Sequence, residues 1–208
     1  MNNLEKCLMK LLRNAKCHKR KYEHLTIEHL LQYWKRQDRR CYYSGIPMEV
    51  GMNKEWQVSL ERLDPSGTYN KENCALVCLE FNGVKQMSIE KVNFVKEYTD
   101  SFDIPVTLTQ EEETSLKRRI SYYPDLKYSW LVAQLNEQKG RCFYSNIRMN
   151  FLKRSEWMLS IERLDESIGH VASNCVLICH EFNTGHTQWS KEKIKHLRSI
   201  DPIPIKKA

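Results

Sequence analysis

Ser59-Leu60-Glu61-Arg62-Leu63-Asp64 recurs as Ser160-Ile161-Glu162-Arg163-Leu164-Asp165, an offset of 101 (160 − 59). The same offset holds outward in both directions. Cys41-Tyr42-Tyr43-Ser44 lies over Cys142-Phe143-Tyr144-Ser145, and Glu55-Trp56 over Glu156-Trp157. Asn73-Cys74, Cys78 and Glu80-Phe81-Asn82 meet Asn174-Cys175, Cys179 and Glu181-Phe182-Asn183 without a gap. One inserted residue then restores Ser88-x-Glu90-Lys91 against Ser190-x-Glu192-Lys193. The chain is therefore an internal duplication. Its period is too long for a solenoid and indicates two globular modules.

Within each copy, apolar periodicity predicts an opening helix. It runs over about Thr26–Gln37, with Leu30, Leu31 and Trp34 as the stripe, and about Tyr128–Gln138, with Leu131, Val132 and Leu135. Gly140 stands where the second of these should stop. Two short strands are expected around Cys41–Met48 and Gln57–Arg62, then the polar loops Asp64–Gly67 and Asp165–Ser167. The apolar segments Cys74–Leu79 and Cys175–His180 follow, and a last helix begins at Ser88 or Ser190, both suitable N-caps. Trp56 and Trp157 read as core. The expected division is a basic N-terminal helical segment (1–25), a first module (26–98), a connector (99–125) and a second module (126–208). The fold class is α+β.

The 208 residues carry a formal net charge of +7, which fits either a solvated basic face or a polyanion partner. No apolar run is long enough for a spanning helix, and Lys6, Lys10 and Arg13 break up any signal-like stretch, so no membrane role is expected. Eight cysteines without such a signal point to a reducing, intracellular compartment, with a viral or organellar setting left open.

The ordered set of helix, Cys-x-x-Ser-Gly, Ser-x-Glu-Arg-x-Asp, Gly-x-Tyr, Asn-Cys-x-Leu-Val-Cys and Glu-Phe-Asn resembles the HNH (His-Me finger, ββα-metal) endonuclease superfamily, phage and giant-virus type. The resemblance covers about residues 16–98 and again about 117–199. It implies tandem ββα modules with flanking helices, and phosphodiester hydrolysis assisted by Mg²⁺ or Mn²⁺. Carried over by position, it puts catalytic roles on Glu61, Arg62 and Asn73, and on Glu162, Arg163 and Asn174. Metal contacts fall on Glu61, Asn82, Glu162 and Asn183, with His186 just beyond. The family's general-base histidine falls on Arg62 and Arg163, and a guanidinium cannot take a proton from water. It can bind phosphate. His170 and His180 are further candidates in the second copy.

Many family members also hold a zinc between two Cys-x-x-Cys pairs. Here Cys41 is followed by Ser44 and Cys78 by Phe81, and the second copy repeats this at Cys142, Ser145, Cys179 and Phe182. Two thiolates fall short of the four ligands of a structural zinc, so the expectation is reduced, buried cysteines with the phenylalanines as apolar plugs. Nucleic acid is the expected partner, DNA before RNA. Its phosphates would be contacted by Lys16, Lys19, Arg20 and Lys21, by Lys35, Arg36, Arg39 and Arg40, and by Lys117, Arg118 and Arg119. The sequence leaves two readings open: a tandem nuclease, or a binding protein that has lost the chemistry.

Overall fold

In a computed structural model the described residues are 2–17, 21–83, 87–100, 105–184 and 187–204. His186, Lys19 and Arg20 lie outside them. The elements follow one another as α1 (Asn3–Cys17), α2 (Ile27–Arg36), β1 (Val58–Arg62), β2 (Cys74–Cys78), α3 (Ile89–Glu97), α4 (Gln110–Ile120), α5 (Tyr128–Glu137), β3 (Leu159–Arg163), β4 (Cys175–Cys179) and α6 (Lys191–Arg198). A minimal pair, β5 (Asn183–Thr184) and β6 (Thr187–Gln188), lies before α6. The class is mixed α and β, with six helices and two small antiparallel hairpins as its main elements among the described residues.

The hairpins repeat the duplication in their register. β1 pairs with β2 so that Val58 faces Cys78 and Arg62 faces Cys74. β3 pairs with β4 so that Leu159 faces Cys179 and Arg163 faces Cys175. Every residue of β2 and β4 is buried, which explains why these strands read as continuous apolar runs. A short 3-10 turn, Leu79–Phe81 or His180–Phe182, then leads toward the last helix.

The predicted helices form where expected. α2 follows Thr26 as N-cap, and Gln37 ends it. Ser88 Oγ accepts from Lys91 N, and Ser190 Oγ from Lys193 N, as N-caps should. The strand expected at Cys41–Met48 is not one. Cys41 O accepts from Gly45 N at 2.9 Å and Cys41 N donates to Ile46 O at 2.8 Å, which closes a tight knuckle. Gly45 at its apex has φ +73°, a backbone region that suits glycine. The knuckle joins the hairpin through Tyr42 N to Leu76 O and through Cys78 N to Cys41 Sγ.

Two compact units result: residues 1–97, 185–187 and 196–208, and residues 98–184 and 188–195. The first unit thus includes a C-terminal segment that the sequence reading gave to the second module. Asn93 pairs with the backbone of Ile203 through both ends of its amide. Buried Lys96 donates Nζ to Ser44 O and Asp201 O. In the first unit α1 packs on α2 and on β1. The stretch 99–125, expected as a connector, contains α4, which packs on α5 in the second unit as α1 does on α2 in the first. Thr109 and Glu112 form a capping box at its start. Two further pairs at the 101 offset, Tyr22 with Tyr123 and Leu25 with Leu126, show that the repeat reaches back into these preceding segments.

Candidate functional site

The signature residues sit on β1 and β3 and the loops that follow. On β1, alternation places Ser59 and Glu61 on one face and Leu60 and Arg62 on the other. The Arg62 guanidinium turns back over its own loop. Nη1 donates to Pro65 O at 2.6 Å and to Gly67 O at 2.9 Å, and the group lies 5.0 Å from the centre of the Tyr69 ring. Arg163 repeats this with Glu166 O at 2.9 Å and, at 3.5 Å, Ile168 O.

Asn73 closes the same loop from the other side. Its Oδ1 accepts from Asp64 N at 2.8 Å, and Nδ2 donates to Asp64 O and Thr68 O, both at 2.9 Å. Asn174 does the same with Asp165 N, Asp165 O and Gly169 O. Both the donor and the acceptor ends of the side chain are spent on the loop. Asp64 and Asp165 accept from the backbone and hydroxyl of Ser66 and Ser167, and these bonds hold both carboxyls below their ordinary value.

The Glu-Phe-Asn motif also has a mechanical role. Trp56 and Trp157 adopt left-handed backbone, φ +57° and +53°. Their N–H groups donate to the buried carboxylates of Glu80 and Glu181, at 3.0 and 2.9 Å. Phe81 stacks on Trp56 with centroids 6.2 Å apart, and Phe182 packs against Trp157 and Trp189. Asn82 Nδ2 donates to Ser59 Oγ and Leu60 O, and Asn183 Nδ2 to Ser160 Oγ and Ile161 O. The Asn of the motif ties the turn to the hairpin, and its Glu and Phe tie it to the Trp that precedes the hairpin.

What remains chemically open is the carboxylate pair. Glu61 and Glu162 are half-buried. Burial raises Glu61, against the opposing effects of the Arg62 N–H and charge. Glu162 is pushed up to about 7, by burial first and then by the charge of Glu166, with Arg163 opposing. Its charge is felt by Tyr123 and Tyr144, and Tyr144 rises to about 12, mostly through burial. Tyr123 packs against His170 at 4.6 Å, and burial holds that histidine low.

Glu61 already accepts from Arg62 N, and the Asn82 nitrogen is engaged on β1. No group of three or more His, Cys, Asp or Glu able to hold a metal occurs among the described residues. The thiols form smaller clusters. Cys41, Ser44 and Cys78 are buried together, with Cys78 N donating to Cys41 Sγ. Cys142, Ser145 and Cys179 repeat the arrangement. Burial opposes ionisation of Cys41 and Cys142, but hydrogen bonds with Cys78 and Ser44, and with Cys179 and Ser145, outweigh it and hold the two thiols at about 7 and about 6. Cys74 begins β2 and Cys78 ends it, so the third thiol stands about 13 Å from the cluster.

No family model, no curated protein and no solved structure matches the chain. No helix among the described residues is long and apolar enough to cross a membrane.

The basic residues divide by environment. Lys35, Arg36, Arg39 and Arg40 are exposed at and beyond the end of α2, though Arg40 donates to Gly45 O. Lys16 lies 5.7 Å from the Tyr22 ring, and Lys21 reaches Pro65 O. On α4, Lys117 is paired with Glu113 at 2.9 Å, Arg118 is exposed and Arg119 is half-buried. Sequence reasoning missed Gln37 and Gln138. Gln37 bonds Leu76 N and O at 3.0 and 2.7 Å, closing the open edge of β2, and Gln138 does the same to Leu177. Their 101-residue spacing was the available signal.

Proposed function

We propose that this chain is a nucleic-acid-binding protein, built twice on an HNH-like ββα frame, in which the former catalytic positions hold loops in place. The supporting observation is the Arg62 guanidinium. By the resemblance it falls at the family's general-base position, and it donates to Pro65 O and Gly67 O. The basic residues that remain exposed at the end of α2, with Arg118 on α4, give the phosphate contacts. DNA is the preferred partner and RNA the alternative.

The test is binding of labelled duplex and single-stranded DNA and RNA in EDTA. Affinity should fall steeply with salt and stay unchanged when Mg²⁺ or Mn²⁺ replaces the chelator. Absence of binding to all forms at low salt would sink the proposal.

One observation favours hydrolysis as a second reading. The Glu162 carboxyl, raised by burial to about 7, is suited to accept a proton from water near neutral pH. The family's reaction also calls for a divalent ion, and no group of three or more His, Cys, Asp or Glu able to hold one occurs among the described residues. Metal-dependent cleavage that disappears in Glu162→Gln would establish this reading over the first.

A further inference from the structure

A cavity of about 1040 Å³ opens on the second unit between α4 and the segment that precedes β3. It is at the upper end of the size range of small-molecule sites, roughly 300–1,000 Å³. Arg118, Arg119 and Lys153 line it against a single carboxylate, Glu111. Leu152 and Met158 supply apolar wall.

Arg119 is the most telling of these residues. Its Nε is buried without a hydrogen-bond partner, and burial, not a carboxylate, dominates its environment and lowers its pKa. A half-buried guanidinium left uncompensated at the side of an open cavity calls for an anion. Two residues earlier on the same helix, Lys117 shows the ordinary outcome, an ion pair with Glu113.

Tyr122 supplies the second, independent observation. It is 71 % exposed on the cavity wall, the most exposed large apolar side chain described. A phenol ring beside several cations is the usual platform for an unpaired base. The wall is also fixed: Ser115 Oγ donates to Phe151 O at 2.7 Å, and Tyr123 is packed on His170. The cations and the exposed ring are not inherited from the repeat. At the 101 offset, Arg118, Tyr122 and Lys153 stand over Cys17, Lys21 and Met52.

We propose that this cavity binds one unpaired nucleotide, with the base stacked on Tyr122 and the phosphate held by Arg118, Arg119 and Lys153. Where the nucleotide belongs to a strand, the site rests on the nucleic-acid reading above. Where it is free, the site stands without it.

The experiment titrates the full chain against three fluorescent probes: short oligothymidylate, a blunt duplex and an AMP analogue. Tyr122→Ala removes an exposed ring and leaves the fold intact, and Arg119→Gln removes an unpaired charge. Tyr122→Ala should weaken oligothymidylate binding about ten-fold and leave duplex binding unchanged. Arg119→Gln should weaken the same probe. If the AMP analogue alone shows these losses, the occupant is a free nucleotide; if oligothymidylate alone does, it is a nucleotide within a strand. Variants that bind both unpaired probes as wild type does, or a wild type that binds neither, overturn the proposal. Duplex binding by wild type judges the broader reading separately.

Discussion

At Arg62 the guanidinium donates to two carbonyls of the loop that follows β1, so its removal should cost stability rather than affinity alone. Arg62→Ala is expected to lower the unfolding free energy by about 1–3 kcal/mol in denaturant titration, the scale of hydrogen bonds from a charged donor. Arg62→Lys should not restore it, because an ammonium lacks the planar fork. An Arg62→Ala chain as stable as wild type would return the residue to phosphate binding. Glu162 gives a pH prediction. Its carboxyl titrates near 7 in the folded chain against an ordinary 4.5, so the folded state holds the extra proton between those values. Its contribution to stability is complete below about pH 4.5 and is lost as pH rises through 7. Glu162→Gln should therefore gain about 1 kcal/mol over wild type at pH 8 and little at pH 4, the gain being held down by solvent screening of a half-exposed group. Equal shifts at both pH values would contradict this.

At the scale of elements, each hairpin is held from outside by a glutamine. Gln37→Ala would strand the outward N–H of Leu76 and remove one of two donors to its carbonyl, so a loss of about 2 kcal/mol is expected in thermal or chemical unfolding. Gly67→Ala tests the loop: an added Cβ would meet Asn73 Nδ2 at 2.7 Å, and the substitution should destabilise by about 1–2 kcal/mol. The second copy has Ile168 at that position, and its Arg163 contact is longer, 3.5 Å. Much of this layout was legible in the sequence. The helix over Ile27–Arg36 and the Ser88 and Ser190 caps carry local signals that tertiary packing does not override, although the helix buries Leu30 and Tyr33 and leaves Leu31 and Trp34 half-buried. Cys41–Met48 was misread because Tyr42 and Tyr43 favour a strand, whereas Ser44-Gly45 turns the chain. α4 was hidden by its acidic start and by the prolines at 105 and 124, though Leu116 and Ile120 are buried on it. Nothing local marks Gln37 as a strand-edge partner. The side-chain contacts of Arg62, Asn73 and Asn82 were not readable either, because a residue type at a given position does not show where its side chain points.

Over the whole molecule, the duplication has preserved one mechanical frame while the surfaces have diverged. The first unit includes the C-terminal residues from His196 onward, and Lys96 and Asn93 bond to Asp201 and Ile203 there. A chain ending at Ser199 should therefore unfold in its first unit several degrees earlier in calorimetry. An unchanged transition would mean that the segment contributes nothing. The net charge of +7 is carried on surfaces where many cations are exposed, and this is the basis of the proposed polyanion partner. The most direct test of that claim is the salt dependence of binding to labelled DNA, measured by fluorescence anisotropy with EDTA and again with Mg²⁺. The account predicts a log–log slope steeper than about −3, reflecting several phosphate contacts, the same slope in both buffers and intact DNA afterwards. No binding at low salt, or binding that requires Mg²⁺ and ends in cleaved DNA, would contradict it.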